Sequence, residues 1–216
     1  MGSEYINLFP NSLWLSVRRF ELVEPNPTRW SLLNALANRL SDRYYVKGDI
    51  EDLQKAIRLS REASLTSFDH IKTRSLGTLG TLLGDRFLAL GQISDIDESI
   101  KTLEEAETRM PKTHFERPGV LGNLGVRFGD RYTRTGSVDD LDASVEYTRL
   151  ASETTPRQDV NWAPRLSNLA ARLGERYSMI GRAVDLDEAI RIGHELITLP
   201  SLYHTNHSVY LNNLAL

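Results

Sequence analysis

An all-α solenoid of antiparallel helix hairpins, about four and a half units long, is the fold this sequence predicts, and three observations predict it. Four segments align without internal gaps: LNALANRLSDRYYVKGDIEDLQKAI from Leu33, LGTLGTLLGDRFLALGQISDIDESI from Leu76, LGNLGVRFGDRYTRTGSVDDLDASV from Leu121 and LSNLAARLGERYSMIGRAVDLDEAI from Leu166. The glycines Gly48, Gly91, Gly136 and Gly181 stand 43, 45 and 45 residues apart, each between an upstream and a downstream apolar pattern. Four residues after every one of them comes an aspartate: Asp52, Asp95, Asp140 and Asp185.

The elements follow in chain order. Trp14 to Val23 reads as a lone second helix over about 11–24, with Asn11 as its cap and Pro25 and Pro27 closing it. Hairpin units are then expected at about 28–66, 70–110, 115–154 and 162–199, with the start of a further unit at 205–216, all within one repeat domain, 1–216. In the first helix of the third unit, Leu121, Leu124, Gly125, Phe128 and Tyr132 recur at helical spacing and make one buried stripe. Gly136 ends that helix where a left-handed backbone is needed. The aspartate after each turn is expected to cap the second helix and favour its positive end, for ~1 kcal/mol. Leu53, Ile96, Leu141 and Leu186, with the pairs Ala56-Ile57, Ser99-Ile100, Ser144-Val145 and Ala189-Ile190, form the second helix's inner face. The small member of each pair lets two helices approach closely. Breakers mark the linkers: Pro111 with Pro118, Pro156 with Pro164, and Pro200. One hairpin cannot bury its apolar face alone, so stacked neighbours share a continuous core.

Composition narrows the function. A net charge of −3 argues against nucleic acid, whose binders carry a basic excess to neutralise phosphates. The absence of cysteine removes disulfides, thiolate metal sites and a cysteine nucleophile. No apolar run approaches the ~20 residues a membrane helix needs, and Met1-Gly2-Ser3-Glu4 lacks the basic and apolar regions of a signal peptide. A cytoplasmic protein is expected.

The pattern Leu124-Gly125, Phe128, turn Gly136, Ser144 and Ala151 resembles the tetratricopeptide motif, in which a leucine-glycine pair, an aromatic, a turn glycine and two small residues hold the hairpin together. That motif repeats at about 34 residues. Here the first helix has roughly one extra turn, about three more residues follow the glycine, and the linker is longer. Units lengthened in this way, with D-R-Y before the turn and D-L-D-E-A-I after it, are similar to the repeat arrays of large fungal proteins that also carry caspase-like or nucleotide-binding domains. The resemblance implies a right-handed solenoid that binds proteins and is no enzyme. A HEAT or armadillo array of similar period leaves the leucine-glycine and small-residue positions unexplained.

The most regular polar feature is the acid-arginine pair before each turn: Asp42-Arg43, Asp85-Arg86, Asp130-Arg131 and Glu175-Arg176. A feature present in every unit serves what every unit needs. Arg43, Arg86, Arg131 and Arg176 are therefore expected to form a structural ladder with Asp52, Asp95, Asp140 and Asp185, each a bidentate bridge within its own unit or to a neighbour.

Binding residues should instead vary among units. The resemblance puts the first helix on the concave face, so its non-core positions are the candidates for partner binding: Asn34, Asn38 and Arg39; Thr78 and Thr81; Asn123 and Arg127; Asn168 and Arg172. Asparagine and arginine can hydrogen-bond a peptide's backbone or acidic side chains. Some relatives hold a peptide's terminal carboxylate with a lysine-asparagine-arginine clamp, but the matching positions here, Asn34, Asn38, Thr78, Gly119 and Asn123, include no lysine.

The remaining features read as structure. Trp14, Trp30 and Trp162 fall on apolar faces at helix edges. The glycines Gly77, Gly80, Gly84 and Gly91 sit at helix-packing positions and lack the Gly-Lys-Ser/Thr of a phosphate loop. His204 and His207 would need a third ligand to hold zinc. No nucleophile, base and orienting group assemble, and neither cofactor nor metal is expected. The function expected is a protein-interaction scaffold holding a peptide or helix on its concave face, as a regulatory or sensor module of a larger protein. The alternative is a self-assembly module that stacks through its open ends, the C-terminal one above all, where Leu211, Leu214 and Leu216 stand in place of a polar cap.

Overall fold

The computed structural model describes residues 27–199, and these form eight helices in four hairpins. In chain order they are α1 (Pro27–Lys47) with α2 (Ile50–Ser64), α3 (Asp69–Leu90) with α4 (Ile93–Arg109), α5 (Arg117–Thr135) with α6 (Val138–Glu153), and α7 (Trp162–Ile180) with α8 (Ala183–Ile197). Each helix packs on its hairpin mate, and each second helix packs on the first helix of the next unit. The lone helix expected at 11–24, the segment 205–216, Trp14, Pro200 and the pair His204 and His207 lie outside the described residues.

The hairpin turns are made by the repeated glycines. Gly48, Gly91, Gly136 and Gly181 have φ of 72°, 71°, 73° and 69°, and no other residue among those described has positive φ. Each donates its N–H across 2.7 Å to a carbonyl four residues back, Tyr44, Phe87, Tyr132 and Tyr177 respectively. A Cβ in this left-handed region would meet the carbonyl, which is why the position recurs as glycine.

The caps differ from expectation. The N-cap of each second helix is the residue directly after the glycine: Asp49, Gln92, Ser137 and Arg182. Asp49 accepts from the Glu51 N–H, and Ser137 from the Asp140 N–H. Asp52, Asp95, Asp140 and Asp185 lie one turn further in and are buried, their carboxylates turned toward arginines instead of the helix end. The linker prolines also move: Pro118 and Pro164 fall in the first turns of α5 and α7, and Pro27 opens α1, where a missing N–H costs nothing.

The core runs through all four units. Leu53, Ile96 and Leu141 are fully enclosed, as are Leu33, Leu83, Leu103, Leu121, Leu124 and Leu173. Burying each such side chain contributes ~1.5–3 kcal/mol. Close approach within the hairpin depends on small residues facing each other. Ser99 Oγ donates to the Gly80 carbonyl and Ser144 Oγ to the Gly125 carbonyl, and a Cβ on Gly125 would lie 3.0 Å from the Thr148 backbone nitrogen. Trp162 is buried and Trp30 half-buried, each with an arginine guanidinium 4.8 Å from its ring centroid. The inner face predicted for α8 is incomplete. Leu186 is half-buried and Ile190 is 47% exposed, because no further helix covers α8 among the described residues.

Candidate functional site

Two polar systems cross the array. In the first, Arg43 Nε and Nη2 donate to Asp52 at 2.5 and 2.6 Å, and Arg86 repeats the pattern on Asp95 at 2.8 and 2.6 Å. Arg131 holds Asp140 at 2.9 and 2.6 Å, and Arg176 holds Asp185 at 2.7 and 2.8 Å. Every fork joins the two helices of one hairpin. Arg131 and Arg176 go further, each donating through Nη1 to an acid of the preceding unit, Asp97 at 2.8 Å and Asp142 at 2.7 Å. These hydrogen bonds hold Asp52 and Asp185 below the usual carboxylate range against the opposing effect of burial, and they raise all four arginines.

The second system runs between first helices. Arg127 is buried, its Nη1 3.2 Å from Asp130 Oδ2 without hydrogen-bond alignment, and its Nη2 3.8 Å from Asp85. Burial pushes the Asp130 carboxyl up, although Arg127 and Arg172 pull it down. The guanidinium occupies a notch left by Gly84, where a Cβ would come within 2.2 Å of it. Arg172 uses the equivalent notch at Gly129, 2.7 Å from a Cβ there, and pairs with Glu175 at 2.6 Å. Tyr45 extends the line by donating to Asp85 at 2.5 Å. Tyr45 is 61% exposed, and partial burial followed by the Asp85 contact pushes its pKa up to about 12.

Beside this line lies a groove of about 620 Å³ that touches all four first helices. Asn38, Ser41 and Tyr45 of α1, Arg74, Gly77, Thr78, Thr81 and Leu82 of α3, and Pro118, Gly119, Val120 and Asn123 of α5 line it. Arg165 of α7 closes one end together with Asn161, and the linkers add Met110, Phe115, Glu116, Pro156 and Asp159. Inside the groove Asn123 donates to Thr81 at 3.0 Å, and Arg74 is neutralised by Glu116 at 3.2 Å. Phe115 is 79% exposed and stacks on His114.

Of the residues expected to bind a partner, Asn38, Thr78, Thr81 and Asn123 come together in this groove. Asn34 and Arg127 do not occupy the non-core positions expected of them. Asn34 is only 5% exposed, and Arg127 is 7% exposed between its two aspartates. Arg39 is exposed but pairs with Asp42 away from the groove lining, Asn168 is exposed beyond it, and Arg172 is engaged by Glu175. Sequence reasoning missed Phe115, Asn161 and Arg165, which come from linkers and a helix start just outside the four aligned segments. The signal available was their break from the repeat: Arg165 stands where the other units have Leu32, Ser75 and Val120.

No helix among the described residues is long and apolar enough to cross a membrane. No protein-family model matches the chain, and no curated protein matches it in sequence. Its fold does match solved structures. A kinesin light chain-like protein of Podospora anserina with nearly identical TPR-like repeats superposes with a TM-score of 0.61 at 18% identity, over 89% of this chain and 86% of that one. BtubC (BKLC) from P. vanneervenii does so with a TM-score of 0.64 at 20% identity, over 94% of this chain and 79% of that one. At such identities the likeness is one of architecture, and that architecture is the tetratricopeptide-like helical-repeat solenoid.

Proposed function

We propose that this chain is a protein-interaction scaffold whose groove across the first helices holds an extended segment of a partner protein. One observation carries the reading: the residues repeated in every unit are consumed by packing and the arginine ladder, whereas the groove is lined by residues that differ from unit to unit. Its volume lies within the range of sites that take small ligands or short peptides, and it mixes apolar floor with a few directed polar groups. The test is site-specific photo-crosslinking in native extract, with the photoreactive amino acid placed at Thr78 in the groove or at Lys101 on the exposed face of α4. Adducts formed from Thr78 and absent from Lys101 support the groove. Adducts from Lys101 alone remove it.

A second reading, self-association through the C-terminal end, is favoured by one observation. The notches at Gly84 and Gly129 are filled by the next unit's arginine, whereas a Cβ on the equivalent Gly174 would meet nothing within 4 Å among the described residues. Together with exposed Ile190 this leaves, among the described residues, a surface that one more arginine-bearing helix would fit. Sedimentation velocity over a concentration series decides it: a dimer that dissociates in Gly174→Leu supports stacking, and a monomer throughout excludes it.

A further inference from the structure

Four arginines, one in each hairpin, use the same edge of the guanidinium, Nε with Nη2, to take a carboxylate. Arg43, Arg86, Arg131 and Arg176 each do so with a buried aspartate. Arg165 presents the same edge with no hydrogen-bond partner on it among the described residues. Its Nη1 donates to Thr155 Oγ1, which fixes the side chain, and no carboxylate lies within ion-pair distance among the described residues. The nearest acid, Asp159, accepts instead from the Asn161 backbone N–H at 2.7 Å and from Asn161 Nδ2 at 3.0 Å.

The free edge is also kept clear. It lies over two glycines of α5: a Cβ on Gly119 would be 3.8 Å from Nη2, and one on Gly122 would be 3.9 Å from Nε. Any larger side chain at either position would cover the fork from below. Burial costs this unpaired cation something, since it holds the Arg165 pKa below the usual arginine range. The other groove arginine, Arg74, already has Glu116. One charge in the groove is therefore offset only from a distance, by Asp159, and it is a pre-oriented fork suited to a planar carboxylate.

Resting on the groove reading above, we propose that the partner segment is an acidic peptide, and that one of its aspartate or glutamate side chains docks bidentately on the Nε–Nη2 edge of Arg165. The remainder of the segment runs from there along α5 and α3 toward Asn38, with Phe115 against its apolar side chains. The carboxylate repeats in trans the bond that the ladder makes four times in cis.

The probe is a random-peptide phage library selected on the purified chain, followed by fluorescence anisotropy of the recovered peptides on wild type, Arg165→Gln, Arg165→Lys and Thr78→Trp, all checked by circular dichroism for a native melt. The expected result is a set of peptides sharing an acid at one fixed position. These should bind Arg165→Gln about 10- to 100-fold more weakly, as loss of a bidentate charged hydrogen bond requires, and lose measurable binding to Thr78→Trp, whose indole fills the groove. Changing the fixed acid to its amide should weaken wild type equally and leave Arg165→Gln unaffected. Should Arg165→Gln fail to fold, Arg165→Lys keeps the charge without the fork and should still lose most of the acid preference. Peptides that require an open groove but share no acid, or whose acid preference survives both substitutions, overturn this proposal and leave the groove reading standing. If no peptides are recovered, or those recovered ignore Thr78→Trp, both fall.

Discussion

Arg176 grips Asp185 with two parallel hydrogen bonds, 2.7 Å from Nε and 2.8 Å from Nη2, so that a carboxylate with 4% side-chain exposure is carried inside the fourth hairpin. Breaking one partner strands the other. Arg176→Met should cost about 3 kcal/mol by leaving an unpaired buried aspartate, whereas Arg176→Met with Asp185→Leu should recover most of it. Arg43→Met should cost less, because Arg43 is 39% exposed and makes no bond to a second unit. Urea denaturation midpoints of the four proteins check the order.

Acid should unfold the protein through the same residues. Asp52 and Asp185 sit below their ordinary 3.8, chiefly through their arginine hydrogen bonds, and Glu188 sits below 4.5 through Arg149. A carboxylate with a depressed folded pKa contributes stability above its unfolded pKa and loses it as pH falls through the folded value. Thermal stability should therefore hold down to about pH 4 and drop steeply below. Asp130, shifted the other way by burial, opposes this trend as one group against three. Asp185→Asn should be less stable at pH 7, with a shallower decline below pH 4, read from melting curves across pH.

Two glycines in equivalent places should answer alanine with opposite signs. Gly84→Ala must displace the Arg127 guanidinium, which lies 2.2 Å from the new methyl, and should lower the melting temperature. Gly174→Ala meets nothing within 4 Å among the described residues and gains helix propensity, so it should stabilise by up to about 1 kcal/mol. Gly125→Ala should be the most damaging of the three, since its new methyl meets the Thr148 backbone nitrogen at 3.0 Å and backbone cannot swing aside. Differential scanning calorimetry of the three variants reads all of this.

Groove and framework should separate under mutation. Asn38→Ala removes an exposed side chain that lines the groove, and should weaken peptide binding with a change in stability under about 0.5 kcal/mol. Arg127→Ala should destabilise by 2 kcal/mol or more, estimated as about the cost of leaving Asp85 and Asp130 without their buried cation. Parallel melting and anisotropy measurements distinguish a lost contact from a lost fold.

How much of this was legible in the sequence follows from what repeats. Hairpins, turn glycines and the arginine-aspartate pairs could be read because four copies in register mark them. The capping assignment failed because an acid near a helix start has two uses, and only the folded distance to Arg43 or Arg86 decides between them. Asn34 and Arg127 were misplaced because both are buried on a first helix at positions its own apolar stripe does not mark, and Arg127 lies against the preceding unit's Gly84 and Asp85. Glycine at 84 tips Arg127 inward, and no single-helix pattern records that. Phe115 and Arg165 stayed out of view because the linkers that position them occur once each.

The ties between units are uneven. Asp97 and Asp142 receive the spare Nη1 of Arg131 and Arg176, but the same place in the first unit is Gln54, and Arg86 makes no such crossing. The arginine wedge is missing at that joint too, since Leu82 stands where Arg127 and Arg172 stand in the later units, opposite Ser41 instead of a glycine. Successive joints are therefore fastened by different polar pairs. The first joint is tied instead by Tyr45 to Asp85 and by Arg61 to Glu98, and because Asn38 and Tyr45 lie on one side of it and Thr78 on the other, those ties set the width of the groove at that end.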